Sequence, residues 1–183
     1  MKFDKLFFYA VCVSALAGLV DLFTNLLQGA GIITTDASLT FITFICWASY
    51  FLFGANLKGA WNAFLGFIVG IIAAILMFVF VGIFAGAGLN VSIIAIPLAV
   101  FILVIFMLLC EKVPYFNNIA AIFLGTGMFF GLMGTPAVGV KGYITVAFGE
   151  LLYAAIGFAA GWITIAIRIA IENMGSKTHE ASM

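Results

Sequence analysis

Residues 59–84 read GAWNAFLGFIVGIIAAILMFVFVGIF, and this stretch holds no ionisable side chain. A helix that crosses the hydrocarbon core of a bilayer needs about 20 mainly apolar residues, so the segment is long enough to span a membrane. The rest of the 183-residue chain is similar, since 66% of all residues are hydrophobic and only 8% are charged. Soluble domains carry about 25% charged residues. The sequence therefore predicts an all-α membrane protein without a soluble domain.

Six apolar segments predict a polytopic protein with six transmembrane helices. Their boundaries fall near residues 6–27, 39–55, 59–84, 91–110, 118–134 and 142–171. The start of the first segment imitates a secretory signal peptide, but the apolar run continues to Leu27, which favours a membrane span. We expect residues 1–175 to form one membrane domain and residues 176–183 to form a polar cytoplasmic tail.

Basic residues are distributed unevenly over the predicted connections. If the N-terminus is cytoplasmic, Lys141 alone faces out, and the other lysines and the arginine face the cytoplasm. These are Lys2, Lys5, Lys58, Lys112, Arg168 and Lys177. Because cytoplasmic loops of membrane proteins carry an excess of Lys and Arg, we expect both termini to be cytoplasmic.

Two junctions share a pattern that predicts an internal repeat. In each, a lysine-glycine pair is followed at the same spacing by another glycine: Lys58-Gly59 with Gly66, and Lys141-Gly142 with Gly149. Repeat one (about 6–84) and repeat two (about 91–171) each hold three predicted helices, so the second copy would enter the membrane upside down. Inverted repeats are common in transporters, with the substrate near the repeat interface. Coincidence is the alternative, because glycine-rich membrane helices match one another easily.

The same junctions carry a resemblance to a known family. Leu57-Lys58-Gly59 follows a helix end that contains Tyr50 and Phe51, and a glycine-rich fifth segment precedes a sixth with glycine and aromatic residues. In these features the chain resembles a bacterial inner-membrane family catalogued as domain of unknown function ten-ninety-seven. The resemblance covers most of the chain. It implies a small multi-pass protein of the bacterial cytoplasmic (inner) membrane and no established activity.

Polar and small residues follow one face of two predicted helices. The first helix carries Ser14, Gly18, Asp21, Asn25 and Gln28 at helical spacing. The sixth carries Glu150, Tyr153, Gly157, Gly161, Thr164 and Arg168. Ionisable side chains inside a span cost about 2.5–3.5 kcal/mol on insertion scales, so they face a bundle interior or water. We expect Asp21 and Glu150 to line a shared, water-accessible cavity in the outer half. A structural role for Asp21, as a helix cap or a bond across the bundle, is the alternative.

Four further side chains complete the candidate solute pathway: Asn25, Asn62, Lys141 and Tyr153. Lys141 departs from the positive-inside bias, which favours a place at the outer mouth as much as a plain boundary role. Asn62 could offer a polar contact to solute, or bond between helices for about 0.6 kcal/mol. Lys58 and Arg168 are interpreted as boundary residues, with Arg168 anchoring the inner interface.

Six glycines are candidates for helix packing or hinges: Gly66, Gly70, Gly131, Gly134, Gly157 and Gly161. Small residues let membrane helices approach closely, so packing is the default interpretation. A half-helix that ends within the membrane at residues 131–136 is the alternative for the fifth segment. Pro97 suggests a kink in the fourth.

Catalytic and metal-ligating patterns are missing from the sequence. The three cysteines are isolated, the single histidine lies near the C-terminus, and zero net charge argues against a nucleic-acid surface. We therefore expect no enzyme activity, cofactor, metal or nucleic-acid partner. The leading hypothesis is a channel or facilitator for a small polar solute, with its conduit at the interface of the two inverted repeats. The alternatives are a proton-coupled secondary transporter that uses Asp21 or Glu150, and a non-transporting accessory subunit. Besides lipid and solute, the expected partner is a second copy in a homo-oligomer.

Overall fold

The structure, a computed structural model, describes residues 3–34 and 36–173 and contains seven α-helices in that part of the chain. They are α1 (Phe3–Gly29), α2 (Thr40–Leu52), α3 (Leu57–Gly86), α4 (Ile96–Leu109), α5 (Ile119–Met133), α6 (Pro136–Gly139) and α7 (Tyr143–Asn173). The described residues include no strand, which confirms the all-α class for them. Lys2, Lys177 and the predicted tail at 176–183 lie outside the described residues.

Four helical segments are long and apolar enough to cross a membrane. They are Phe3–Gly29, Leu57–Gly86, Val91–Lys112 and Tyr143–Asn173. The chain is therefore a membrane protein with transmembrane helices, as its composition predicts. With 13 and 15 residues, α2 and α5 are shorter than the roughly 20 residues of a typical span. The count of six spans stays a prediction.

Asparagine side chains cap three of the helical starts, and each accepts a hydrogen bond from a backbone N–H three residues later. The pairs are Asn56 with Gly59 (2.9 Å), Asn90 with Ile93 (3.0 Å) and Asn118 with Ala121 (3.1 Å). Such caps satisfy N–H groups that a helix start leaves without an internal partner. The described helices therefore begin close to where the sequence predicts the third, fourth and fifth segments.

The start of the fourth segment is wider than a normal α-helix. The carbonyl oxygen of Asn90 accepts from both Ile94 N and Ala95 N, at 3.0 Å each, which produces the π-helical turn Val91–Ala95. Pro97 follows in the first turn of α4, directly after this π-helical turn. Pro97 thus lies inside the continuous helical segment Val91–Lys112, and the kink that the sequence suggested there stays a prediction.

The chain divides into two compact units. Unit 1 comprises residues 1–60 and 153–183, and unit 2 comprises residues 61–152. Unit 1 therefore holds α1, α2 and most of α7, while unit 2 holds most of α3 with α4, α5 and α6. These units do not coincide with the predicted repeats, because each unit combines the first two predicted spans of one half with most of the third predicted span of the other.

In unit 1, α1 and α7 run antiparallel. Lys5 Nζ, near the start of α1, donates to the carbonyl oxygen of Glu172 near the end of α7 (3.3 Å). Farther along α1, the carbonyl oxygen of Thr24 accepts from the Tyr153 hydroxyl (3.4 Å). The beginning of α1 and the end of α7 therefore lie together.

Each unit has an apolar cluster of its own. In unit 1 the buried members are Val20, Trp47 and Ala160, one from each of α1, α2 and α7. In unit 2 they are Ala73, Met77, Leu103, Met107 and Ile122, from α3, α4 and α5. Both clusters thus join three helices.

Candidate functional site

Gly157 and Gly161 let α7 approach α2 closely in unit 1. A Cβ added at Gly157 would collide with three atoms of α2: the Thr43 carbonyl oxygen, Cys46 Cβ (2.8 Å) and the Trp47 nitrogen (2.9 Å). A Cβ added at Gly161 would lie 2.6 Å from Cγ of Tyr50. The contacts advance in the same direction along both helices, so α2 and α7 are parallel. The predicted packing role of both glycines agrees with these contacts.

Gly66 and Gly70 make the equivalent approach of α3 to α5 in unit 2. A Cβ added at Gly66 would meet three atoms of the α5 region: the Asn118 carbonyl oxygen (3.3 Å), Ala121 Cβ (2.6 Å) and the Ile122 nitrogen (3.3 Å). A Cβ at Gly70 would lie 2.7 Å from the nitrogen of Thr126, whose hydroxyl donates to the Gly70 carbonyl oxygen (3.0 Å). α3 and α5 are therefore also parallel.

The two glycine contacts match atom for atom. Gly157 and Gly66 each face a carbonyl oxygen, then the Cβ three residues later, then the nitrogen of the next residue. The match pairs Gly66 with Gly157. It therefore pairs Lys58 with Gly149, whereas the lysine-glycine pattern pairs Lys58 with Lys141.

The two lysine-glycine pairs also differ in local structure. Lys58 and Gly59 lie within the first turn of α3. Gly142 instead precedes α7 and has φ of +84°, a conformation that glycine adopts without steric cost. The shared pattern thus marks the beginning of two long helices without marking equivalent positions in them.

Gly131 and Gly134 have different surroundings from the other four candidate glycines. A Cβ at Gly131 would meet no described atom within 4 Å, and one at Gly134 would approach only carbonyl oxygens of α5 itself. α5 continues through Gly131 and ends at Met133, and α6 begins at Pro136. The chain therefore leaves the α5 helix after residue 133, and these two glycines form no close contact with another helix.

Glu150 is the polar residue with the most unusual surroundings. Its side chain is fully buried at 0% exposure, and neither carboxylate oxygen has a hydrogen-bond partner among the described residues. Val146 and Ala154, one turn away on either side, are also fully buried. A buried polar group without a partner is rare in native structures and calls for an explanation.

Asp21 differs from Glu150 in both burial and bonding. It is exposed on α1, and its Oδ2 accepts from Nδ2 of Asn25, one turn later (3.1 Å). The buried face of α1 instead carries Val20 and Thr24. The two carboxyl groups thus have unlike surroundings, and their shared cavity stays a prediction.

The other candidate pathway residues are placed as follows. Tyr153 is buried and bonds to two helices, through its hydroxyl to Thr24 and through its carbonyl oxygen to the Thr43 hydroxyl (3.3 Å). Asn62 is half-buried on α3, and Lys141 is exposed before α7. Tyr153 therefore has a clear structural role as a link between α7, α1 and α2.

Buried threonines carry polar contacts that the sequence analysis missed. Thr24 Oγ1 lies 2.8 Å from Thr40 Oγ1, and the Ser38 hydroxyl donates to Thr40 Oγ1 (2.9 Å). Thr24 could have been noticed in the sequence, because its hydroxyl directly precedes Asn25 and so lies beside the polar stripe that contains Asp21. It marks the face of α1 that the structure buries.

Two cavities are lined mainly by apolar side chains. One of about 410 Å³ lies in unit 2 against Met77, Phe78, Phe130 and Gly134, among others. Another of about 370 Å³ lies in unit 1 against Tyr50, Leu57, Ala60, Phe158, Ala159 and Trp162. Gly134 is the only candidate residue that borders either of these two cavities, so their walls suit apolar groups better than a polar solute.

Comparison with known proteins gives a family for the chain. No curated protein and no solved structure matched it. A family model matches residues 10–169, which include Gly66 and Gly157 with their matching contacts, and Glu150. This is the family that the sequence resemblance indicated. The chain therefore belongs to the family described as "Protein of unknown function (DUF1097)".

Proposed function

We propose that this protein is a membrane channel or facilitator for a small polar solute, built from two inverted three-helix repeats that make six spans. The observation that carries the proposal is the atom-for-atom match between the Gly157 contact with α2 and the Gly66 contact with α5. A repeated three-helix sequence would produce the same local packing twice. Inverted repeats are a recurrent design of transport proteins.

The matching contacts imply that the two repeats exchange their third helices. α3 of repeat one packs with α5 in unit 2, and α7 of repeat two packs with α2 in unit 1. The correspondence pairs α1 with α4, α2 with α5 and α3 with α7. If every apolar helix crosses the membrane, α2 and α7 share a direction, as do α3 and α5. The parallel contacts agree with this.

Both termini are proposed to be cytoplasmic, in a bacterial inner membrane. The hydrogen bond between Lys5 and Glu172 supports termini on the same side, which an even number of spans requires. The excess of lysine and arginine at that side supports its assignment to the cytoplasm.

Glu150 is proposed to lie on the solute pathway. Low charge content favours a neutral or singly charged solute, because phosphates and nucleotides would call for arginine clusters. The same carboxyl group supports a second candidate, a proton-coupled secondary transporter, since a buried acid can take up and release a proton during transport.

Flux into proteoliposomes tests the proposal. Vesicles with purified protein and empty vesicles are exposed to gradients of urea, glycerol and methylammonium, and volume changes are followed by stopped-flow light scattering. We expect at least one solute to equilibrate faster with protein. A rate that changes when a proton gradient is imposed favours the coupled carrier. If every solute enters vesicles with protein as slowly as it enters empty vesicles, the transport proposal is wrong and an accessory role is favoured.

A further inference from the structure

Glu150 lacks a positively charged partner in the described part of the chain. Both of its oxygens are unbonded there, although the side chain is fully buried. Each described lysine and arginine is at least partly exposed: Lys5, Lys58, Lys112, Lys141 and Arg168. The ion pair found among these residues joins Arg168 to Glu172 instead. While Glu150 is ionised, its counter-charge must therefore come from a bound cation, and without one the carboxyl group is protonated.

The neighbourhood of Glu150 on α7 limits the kind of cation that fits. Divalent calcium takes six to eight oxygen ligands. The described residues hold no group of three His, Cys, Asp or Glu that could bind a metal, so they do not supply such a ligand set around Glu150. The carbonyl oxygens around position 150 belong to the continuous helix α7. An ammonium group needs no such ligand shell, because its N–H groups donate directly to a carboxylate in strong, charge-assisted hydrogen bonds.

We propose that Glu150 binds the positively charged head of a small, singly charged, ammonium-type cation. This inference rests on the proposed transport function and names the solute class for it. Val146 and Ala154 flank the carboxyl group on its own helix and offer apolar contact to a short aliphatic part of the ligand.

The comparison of α3 with α7 indicates one such site in each chain. In the register set by Gly66 and Gly157, the position that corresponds to Glu150 is Gly59. A side chain there would collide with the carbonyl oxygen of Phe53, so the first repeat has no room for a second acid. The repeated scaffold thus carries the proposed binding group once.

Ligand-dependent stability and flux test the proposal together. The melting temperature of purified protein is measured in methylammonium chloride and in sodium chloride at equal ionic strength. Native protein, Glu150→Gln, Glu150→Asp and Glu111→Gln are compared, with the exposed Glu111 as the matched control. A ligand that binds only folded protein raises the melting temperature. We expect methylammonium to stabilise native protein and Glu111→Gln, to stabilise Glu150→Asp less, and to leave Glu150→Gln unchanged.

The outcomes separate this inference from the proposed function. Equal melting temperatures of native protein in the two salts overturn the ammonium site, even if Glu150→Gln fails to fold. An equal methylammonium effect on a folded Glu150→Gln overturns it as well. If the protein still transports urea or glycerol in either of these two cases, the ammonium site is wrong but the channel proposal is not contradicted. Methylammonium binding that depends on Glu150, without flux of any solute, supports the site and contradicts transport.

Discussion

Trp47 Nε1 donates a hydrogen bond to Thr164 Oγ1 across 3.0 Å and thereby joins α2 to α7 inside unit 1. Both residues are buried, and the threonine hydroxyl also donates to the carbonyl oxygen of Ala160 (2.8 Å). In the register that pairs Gly157 with Gly66, the residues of unit 2 at these two positions are Ile122 and Ala73, both members of its apolar cluster. At this position the residues are thus polar where α2 packs on α7 in unit 1 and apolar where α5 packs on α3 in unit 2.

Thr164→Val should destabilise the protein by about 1–3 kcal/mol, because valine has a similar shape but leaves the indole N–H of Trp47 buried without an acceptor. Thermal unfolding in detergent, followed by tryptophan fluorescence, measures the effect. Thr135→Val is the control, since among the described residues the Thr135 hydroxyl bonds to the Gly131 carbonyl oxygen of its own turn and to no other helix. If both variants lost the same stability, the hydrogen bond of the Trp47 indole would not be the cause of the loss in Thr164→Val.

Gly157→Ala and Gly66→Ala should each lower stability by about 1–3 kcal/mol, the usual cost of an extra carbon in a packed interface. In both, the added Cβ would lie closer than 3.0 Å to a Cβ of the facing helix. Gly127→Ala is the matched control on α5, where an added Cβ meets no described atom within 4 Å. We expect Gly127→Ala to be neutral or stabilising by about 0.4–1 kcal/mol. Melting temperatures in one detergent compare the three, and similar losses in all would argue against close packing at residues 66 and 157.

The position of the helices could be predicted from the sequence because apolar length alone decides which segments suit a bilayer. The face that each helix buries could not. In a soluble helix the outward face is polar, but lipid is as apolar as a protein core, so the stripe of Ser14, Gly18, Asp21 and Asn25 gave no reliable direction. The structure exposes these four residues and buries Val20 and Thr24.

A short pattern could not set the register of the proposed repeat either. Lysine and glycine recur at helix starts for local reasons, a boundary charge and a turn, and therefore match without being equivalent. Packing glycines are better markers, because Gly66 and Gly157 are tied to facing atoms. The position of Glu150 in an apolar helix already suggested a functional role. That its carboxyl group has no partner among the described residues could be learned only from the structure.

Ala30→Cys and Asn173→Cys should be labelled from opposite sides of the membrane, in a chain whose native cysteines are replaced. Asn173 ends α7 beside the start of α1, and Ala30 directly follows α1. With cytoplasmic termini, a membrane-impermeant maleimide added to intact cells should modify residue 30 and spare residue 173. Modification of residue 173 under these conditions would reverse the proposed orientation.

Gly18→Cys should form disulfide-linked dimers in membranes under mild oxidation. α1 exposes the stripe that contains Gly18 and Asp21, and a small residue beside a hydrogen-bonding group favours association of membrane helices. Val20→Cys is the control, because Val20 is buried against Trp47 and Ala160 within one chain. Electrophoresis without reductant reads the result. Dimers from both variants, or from neither, would speak against this face of α1 as the contact between copies.

Glu150→Leu should make the protein more stable and less active. Leucine fills nearly the same volume without a polar group, so it removes the penalty of about 1–3 kcal/mol that a buried group without a partner imposes. A residue retained at such a cost is expected to serve function, and its loss should abolish the solute flux of folded protein. Tyr153→Phe provides the opposite case, because it deletes a hydroxyl that is bonded to Thr24 and should lower the melting temperature. Melting temperature and proteoliposome flux are measured on the same preparations. A lower melting temperature for Glu150→Leu with unchanged flux would show that Glu150 holds the fold together through a partner and takes no part in transport.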